Sequence, residues 1–455
     1  MLKLSRYLKV LQKNGVVAVF HSLMPSPIFL PFIRWNRYLQ EKKELEIEKY
    51  LIRKKLLIPP GEDKEVLEEV KRNYLSSDDV SILYLILTKA CNFTCRYCFQ
   101  PERHPELFPC SCKKKTEGRL FMSREIAKRG IDLFARYVQK GRKNKEVQIQ
   151  FYGGEPFLNI KTLKFAVEYI GQLQRSGLLP KETKKIIVTN GSLITDNLGK
   201  YLKKHEVSIG LSLDGRKAEN DVFRKPKDGG SAYNYAIGAL KKLQQYSVPA
   251  TLSITITPLT AEKLTEIARW AKEELGVRAI GFNIAGGKTY GYFGSSLPKE
   301  KYDDLITKGL IEVFKYGRRV GLYEDRMMRK VEAFVKGYFY ASDCGAIKEQ
   351  LVIQPDGNVA FCHASEEYNM GNVFSKKPVD FNHPILKRWE KRVPLNNPLC
   401  QDCFAISICG GGCHHNVREL VRPADESKVL DEGFCKHTKE TMEFLVWDLY
   451  QKSKE

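Results

Sequence analysis

The sequence predicts an α/β fold: a partial (β/α)6 barrel of the TIM type, flanked by a small N-terminal α+β element and a cysteine-rich C-terminal region. Two patterns predict it. From residue 81 onward, apolar runs of strand length alternate with amphipathic stretches of helix length, the paired periodicities of β/α units. Outside that stretch the alternation stops. Residues 1–78 read as a hairpin followed by helices, and the last third is rich in cysteine and glycine. The domain boundaries expected from these shifts are 1–78, 79–325 and 326–455.

In chain order, Tyr7–Leu11 and Val16–Ser22 are β-type runs around Asn14-Gly15, a pair that favours a two-residue hairpin turn. Helical patterns follow at Trp35–Arg53 and Lys64–Tyr74. The barrel strands are expected at Ser81–Thr88, Val147–Tyr152, Lys185–Thr189, Val207–Leu213, Ala250–Thr257 and Ala279–Ile284. Helices are expected between them at Ser123–Lys140, Ile160–Ser176, Ile194–His205, Ala232–Tyr246 and Ala261–Glu274. Each helix is long enough to cross back over a sheet, so the strands should run parallel. Six such units favour an open barrel over a doubly wound sheet, although other α/β folds share the count. Beyond about residue 340, Gly345, Gly357, Gly371 and Gly410–Gly412 punctuate a loop-rich stretch. That profile suggests a fold organised by metal more than by a large apolar core. Residues 441–450 form a last helical pattern.

Composition narrows the function classes. Hydrophobic content of 43% and charged content of 28% are ordinary for a globular chain. The most apolar N-terminal stretch is broken by Pro25, Pro27 and Pro31, far short of the ~20 residues of a membrane span. Its apolar run Val16–Phe20 is too short for a secretory signal, so a cytoplasmic enzyme away from membranes is expected. Twelve cysteines in a reducing compartment argue for metal ligation over disulfides. The net charge of +21 favours acidic partners, yet no nucleic-acid module accompanies it.

Ten of the twelve cysteines fall into two spaced sets. The first is Cys91-x3-Cys95-x2-Cys98, directly after the first strand run. Three thiolates cannot fill four iron positions, so this spacing suits a [4Fe–4S] cluster with one iron left for a small molecule. Structural zinc, the competing reading, wants four closed ligands. Gly153-Gly154-Glu155-Pro156, Thr189-Asn190-Gly191 and Ser212-Leu213-Asp214-Gly215 then follow successive strand runs. Adjacent glycines admit a ligand close to backbone, and a carboxylate there can pair with an ammonium. Together with Tyr97, the aromatic residue before the third cysteine, these segments resemble the radical S-adenosylmethionine (SAM) family. The resemblance implies that Cys91, Cys95 and Cys98 hold the SAM-binding cluster. It further implies that Gly153, Gly154, Glu155 and Pro156 take the SAM amino group, that Asn190 and Ser212 line the SAM site, and that Arg224 lies against the SAM carboxylate.

The second set runs Cys344, Cys362, Cys400-x2-Cys403-x5-Cys409-x3-Cys413 and Cys435. It resembles the seven-cysteine SPASM extension of radical SAM enzymes. Seven thiolates cannot ligate two cubane clusters fully. By resemblance Cys400, Cys403, Cys409 and Cys435 hold an outer cluster, and Cys344, Cys362 and Cys413 an inner one with an open iron. Zinc ribbons helped by His414 and His415 are the alternative, though Cys-x5-Cys-x3-Cys is not ribbon spacing. Cys110 and Cys112 fit neither set and read as loop thiols, a redox pair or substrate contacts.

By resemblance the chain is an enzyme whose cofactors are SAM and three [4Fe–4S] clusters. One electron from the first cluster cleaves SAM and frees a 5′-deoxyadenosyl radical, which takes hydrogen from an unactivated C–H bond. Enzymes with this extension mostly act on peptides or proteins. The expected function is therefore a peptide maturase that installs a thioether or carbon–carbon cross-link in a ribosomal precursor. A low-potential donor such as ferredoxin or flavodoxin would supply electrons. Residues 1–78 resemble the winged-helix-like elements that hold a leader peptide; a purely structural cap fits them equally.

The rival within the class is an anaerobic sulfatase-maturating enzyme, which makes formylglycine. That group carries a cysteine shortly after the first SPASM cysteine and an aspartate right after the second. Here Gly345–Gln350 contains no cysteine, and His363 follows Cys362. His363 could act as a base, with a pKa suited to proton transfer, or be an ordinary surface histidine. The charge keeps two other readings open: an RNA-modifying radical SAM enzyme, and a non-catalytic zinc-bearing nucleic-acid-binding protein.

Overall fold

A computed structural model describes residues 2–41, 44–75, 79–98, 120–141, 145–418 and 428–455; Cys110 and Cys112 lie outside them. Six parallel strands form the barrel wall: Ile82–Thr88, Gln148–Gly153, Lys184–Thr189, Val207–Ser212, Ala250–Ile256 and Ala279–Ile284. They are hydrogen-bonded in chain order, and each lies within a residue of its expected bounds. Leu83, Leu85, Phe151, Ile187, Leu211 and Ile254 bury completely along them. The expected helices are present, but several start later than their patterns suggest. Ser123, Thr195 and Ser231 stand in extended backbone and cap the helices that follow, each side-chain oxygen accepting an N–H three residues on. Such residues prefer the cap because they compete with helical hydrogen bonds inside it.

Two expectations are corrected. The first concerns the C-terminal third, which is not set apart from the barrel. Its strand Gln350–Ile353 pairs in parallel with Ile82–Thr88, and Asn358–Ala360 and Asn369–Asn372 extend the same sheet antiparallel; with Tyr323–Glu324 beside Ala279–Ile284 at the other edge the sheet has ten strands. Leu351, Val352, Ile353, Phe361 and Trp389 join the core of the barrel. An apolar core therefore organises this region alongside its cysteines. A four-residue strand buried on both faces shows no alternation, so it leaves little pattern to read.

The second correction concerns residues 1–78. The hairpin Leu8–Lys13 and Val16–His21 turns through Asn14 (φ 48°) and Gly15 (φ 74°), the positive-φ pair of a type I′ turn. A third strand, Met24–Pro31, pairs with it. Its prolines hid it from the sequence pattern, yet an edge strand tolerates a missing N–H on its open side. The stretch Trp35–Arg53 is two helices, Phe32–Glu41 and Leu45–Arg53, followed by Glu62–Tyr74. The element docks on the C-terminal region: Arg6 forms a forked ion pair with Asp402, both Nη2 distances 2.8 Å. The last helix spans Glu432–Lys452, longer than its pattern. Among the described residues no helix is long and apolar enough to cross a membrane.

Trp389 tests the apolar core of the C-terminal third. It is fully buried against Phe361, Tyr368 and His414. Trp389→Ala should lower the urea-unfolding free energy of iron-free protein by about 3–5 kcal/mol. An unchanged value would mean that metal alone orders this region.

Candidate active site

The first cysteine loop leaves the C-terminal end of Ile82–Thr88 and is stitched to two neighbours. On one side lies the segment after the helix Lys217–Phe223. Thr94 N–H donates to Lys225 O at 2.7 Å, Arg96 N–H to Phe223 O at 2.8 Å, and Lys227 N–H to Asn92 O at 2.9 Å. On the other side lies the Gly153–Pro156 turn, whose Gly154 and Glu155 N–H groups donate to Thr88 O and Ala90 O at 2.7 and 2.9 Å. Gly153 has φ 130°, and a Cβ there would stand 2.3 Å from Thr88 O. Only glycine allows that approach.

Glu155 is fully buried. Its carboxylate accepts from Thr189 Oγ1 at 2.8 Å, Asn190 N at 2.9 Å and Phe157 N at 3.2 Å. Asn190 reaches the cysteine loop, with Nδ2 3.0 Å from Asn92 Oδ1 and 4.0 Å from Cys91 Sγ. Ser212 stands half-buried at the end of the fourth strand. Four strand ends thus converge on the loop that carries Cys91, Cys95 and Cys98.

Arg224 has a different first partner from the one the resemblance implies. Its Nε and Nη2 donate to Asp214 Oδ2 and Oδ1, both at 2.9 Å. The Tyr97 hydroxyl donates to the same Asp214 Oδ2, and the guanidinium stacks 5.5 Å above the Tyr97 ring. Burial opposes the Arg224 charge, but Asp214, Tyr97 and Cys95 outweigh it and hold the group well above its usual range. Asp214 and Tyr97 were legible only as parts of motifs. Their joint role needed a carboxylate after one strand to meet an aromatic residue between two cysteines, more than 100 residues away.

The ten described cysteines fall into three groups. Cys95 is pushed up to about 12, first by burial and then, against a nearby Arg224, by Cys98 and Cys91. Burial raises Cys344 well above the usual thiol range, with Cys413 and Cys362 adding to it. Cys400 and Cys435 reach about 12 through burial and the proximity of Cys409 and Cys403. Clustered thiols of this kind become thiolates only beside compensating positive charge, which iron would supply. Among the described residues no three histidine, cysteine or carboxylate side chains converge closely enough for a single metal ion. By proximity the thiols form three sets of a size that suits cubane clusters: Cys91, Cys95 and Cys98 in one, Cys344, Cys362 and Cys413 in a second, and Cys400, Cys403, Cys409 and Cys435 in a third. Gly410, Gly411 and Gly412 all have φ between 69° and 80°, left-handed backbone that carries the chain from Cys409 in the third group to Cys413 in the second. A Cβ on Gly410 would meet Asp343 N at 2.4 Å.

His363 is half-buried rather than exposed. Its ring lies between Tyr84 and Tyr152, with centroids 5.2 and 5.0 Å away. Burial, with His415 nearby, holds it at about 4, so it is neutral at neutral pH and a weaker proton acceptor than an exposed imidazole. Tyr152 immediately precedes Gly153, and Tyr84 is raised by burial with Tyr152, Cys344 and Cys362 adding to it. This aromatic cluster joins the second cysteine group to the Gly153–Pro156 turn.

Comparison with known proteins agrees with this geometry. Residues 85–271 match the Radical SAM superfamily model, and residues 344–404 match SPASM, an iron–sulfur cluster-binding domain. The chain is a radical SAM enzyme with a SPASM domain. It binds SAM and iron–sulfur clusters. It is 24% identical to the radical SAM cyclopropyl synthase TigE of Paramaledivibacter caminithermalis, over 93% of this chain and 87% of that one. It is also 24% identical to a cysteine-type anaerobic sulfatase-maturating enzyme of Clostridium perfringens, over 80% and 96%. The solved structure of anSMEcpe with bound AdoMet superposes with a TM-score of 0.65 at 20% identity, covering 82% of this chain and 99% of the other. That likeness establishes a shared fold. Family membership removes the reading as a non-catalytic zinc-bearing nucleic-acid-binding protein.

Two substitutions probe the site. Asp214→Ala strands a buried guanidinium, which should cost about 3–5 kcal/mol. SAM-induced changes in the first cluster's electron paramagnetic resonance (EPR) signal should weaken with it. Gly410→Ala should lower iron per chain at the SPASM groups while leaving that SAM-sensitive signal in place.

Proposed function

We propose that this radical SAM enzyme is a peptide maturase that oxidatively installs a thioether or carbon–carbon cross-link in a ribosomal precursor peptide. The observation that carries this reading is the aromatic bridge from His363, beside Cys362, to Tyr152, beside the Gly153–Pro156 turn. Through this bridge the second cysteine group adjoins the Gly153–Pro156 turn, which supports the reading. Forming one cross-link removes two protons and two electrons from the peptide; abstraction of one hydrogen atom takes one of each, so an acceptor for the remaining electron is required close to the reacting carbon. When bound, SAM and its cluster supply one-electron chemistry able to take hydrogen from an unactivated C–H bond.

The chain's own residues would do the rest. Cys91, Cys95 and Cys98 would hold the SAM cluster, and the Gly153–Pro156 turn with Asn190 and Ser212 would orient SAM. Arg224, fixed on Asp214, would position the cysteine loop. His363 would accept the proton released at the second site, and residues 1–78 would hold the peptide's leader. The two SPASM groups would bind two further clusters, three in all, with ferredoxin or flavodoxin as the electron source.

Sulfatase maturation is the second reading, favoured by the Clostridium perfringens relative. The cysteine-free Gly345–Gln350 and His363 in place of an aspartate weigh against it, and the synthase match reaches over more of the chain.

Anaerobically reconstituted protein should carry about twelve irons with matching sulfide, three cubane clusters. Co-expression with a small peptide encoded beside the enzyme should give a peptide lighter by two hydrogens. An unchanged peptide mass with SAM cleavage intact would sink the cross-linking claim. An aldehyde on a sulfatase-derived peptide would favour the second reading.

A further inference from the structure

The helix Asp325–Lys336 turns one lysine inward, beneath the outer cysteine group. Lys330 is 1% exposed. Its Nζ donates to Ile408 O at 3.1 Å, Cys409 O at 3.3 Å and Thr438 Oγ1 at 3.2 Å. Three acceptors match the three N–H groups of an ammonium. The Phe434 ring centroid lies 4.6 Å away, a placement that also favours a cation.

No carboxylate pairs with Lys330 among the described residues. Burial works first against its charge and lowers its pKa; Asp343 lies near enough to support the charge, and Arg326 and Arg329 oppose it. The Asp343 carboxylate is already taken by Arg329 at 3.3 Å and by the Tyr340 hydroxyl at 3.0 Å. A buried cation without its own carboxylate needs another negative charge. The segment it grips ends in Cys409, whose carbonyl oxygen accepts from the ammonium.

We infer that Lys330 raises the reduction potential of the cluster held by Cys400, Cys403, Cys409 and Cys435, by fixing a buried positive charge against the Cys409 backbone. Reduction adds one electron to that cluster; no bond forms or breaks. The added negative charge is stabilised by a cation in a low-dielectric setting, where charge interactions are least screened. Thiolates fill every corner of this cluster and leave it no open iron, so its potential is the property the protein can adjust there. The placement also makes chemical sense for an oxidative reaction, because an acceptor must hold the electron it receives. The inference rests on the cluster assignment of the preceding section.

The experiment is a redox titration of the full, anaerobically reconstituted chain, read by EPR. The outer signal is assigned by its loss in Cys400→Ala. Lys330→Met removes the charge and the donors, whereas Lys330→Gln keeps donors for the two carbonyls and removes the charge together with the third donor, to Thr438. Both variants should keep the parent's iron and sulfide, and their outer potential should fall by at least ~59 mV, a tenfold change in a one-electron equilibrium. A loaded variant with the parent's potential would overturn the inference. If Lys330→Met fails to load, Lys330→Gln decides. Failure of both to load would make Lys330 a scaffold residue and overturn it as well. A parent with only about four irons would overturn the auxiliary-cluster assignment itself, and this inference with it.

Discussion

The Glu155 carboxylate, sealed from solvent, accepts the Thr189 hydroxyl and the Asn190 N–H, while its own backbone N–H donates to Ala90 O. One residue thereby ties the second and third strand ends to the loop carrying the first cysteines. A buried charged acceptor is stable only when its lone pairs are filled, so the three segments cannot drift apart independently. Gly153 makes this possible by letting Thr88 O come closer than any side chain would permit. A loop of three cysteines is a weak scaffold by itself. Here it is clamped from below by Glu155 and from the side by Asp214, Arg224 and Tyr97.

The same economy governs the C-terminal third. Its strand Gln350–Ile353 is a direct continuation of the barrel sheet, so Cys344 and Cys362, on either side of it, inherit the barrel's rigidity. His363 then falls between Tyr84 and Tyr152 because sheet pairing places Gln350–Ile353 beside Ile82–Thr88. The left-handed Gly410–Gly412 stretch separates Cys409 from Cys413 by three residues in sequence but directs them to different groups. Lys330 supplies the fixed cation beneath one of those groups, and Arg224 plays the corresponding part beside Cys95.

Much of this was legible in the sequence. The six barrel strands carry apolar runs long enough to show their period, and the hairpin announced itself through Asn14-Gly15. Met24–Pro31 did not, because its prolines mimic a loop when the open edge of a sheet is not in view. Gln350–Ile353 did not, because four buried residues have no periodicity. The Trp35–Arg53 stretch was read as one helix because its apolar spacing continues across the break. His363 was legible as a candidate base, but its burial between two tyrosines was not.

By itself the sequence determined the fold class and the kind of chemistry, since strand and helix periods and cysteine spacings are local properties carried by neighbouring residues. Only the tertiary structure decided which sulfurs lie near one another, that Arg224 spends its guanidinium on Asp214, and that among the described residues no carboxylate pairs directly with the buried Lys330. Those outcomes depend on which residues packing brings within a few ångströms. Hydrogen bonds and burial act over that range, whatever the distance along the chain.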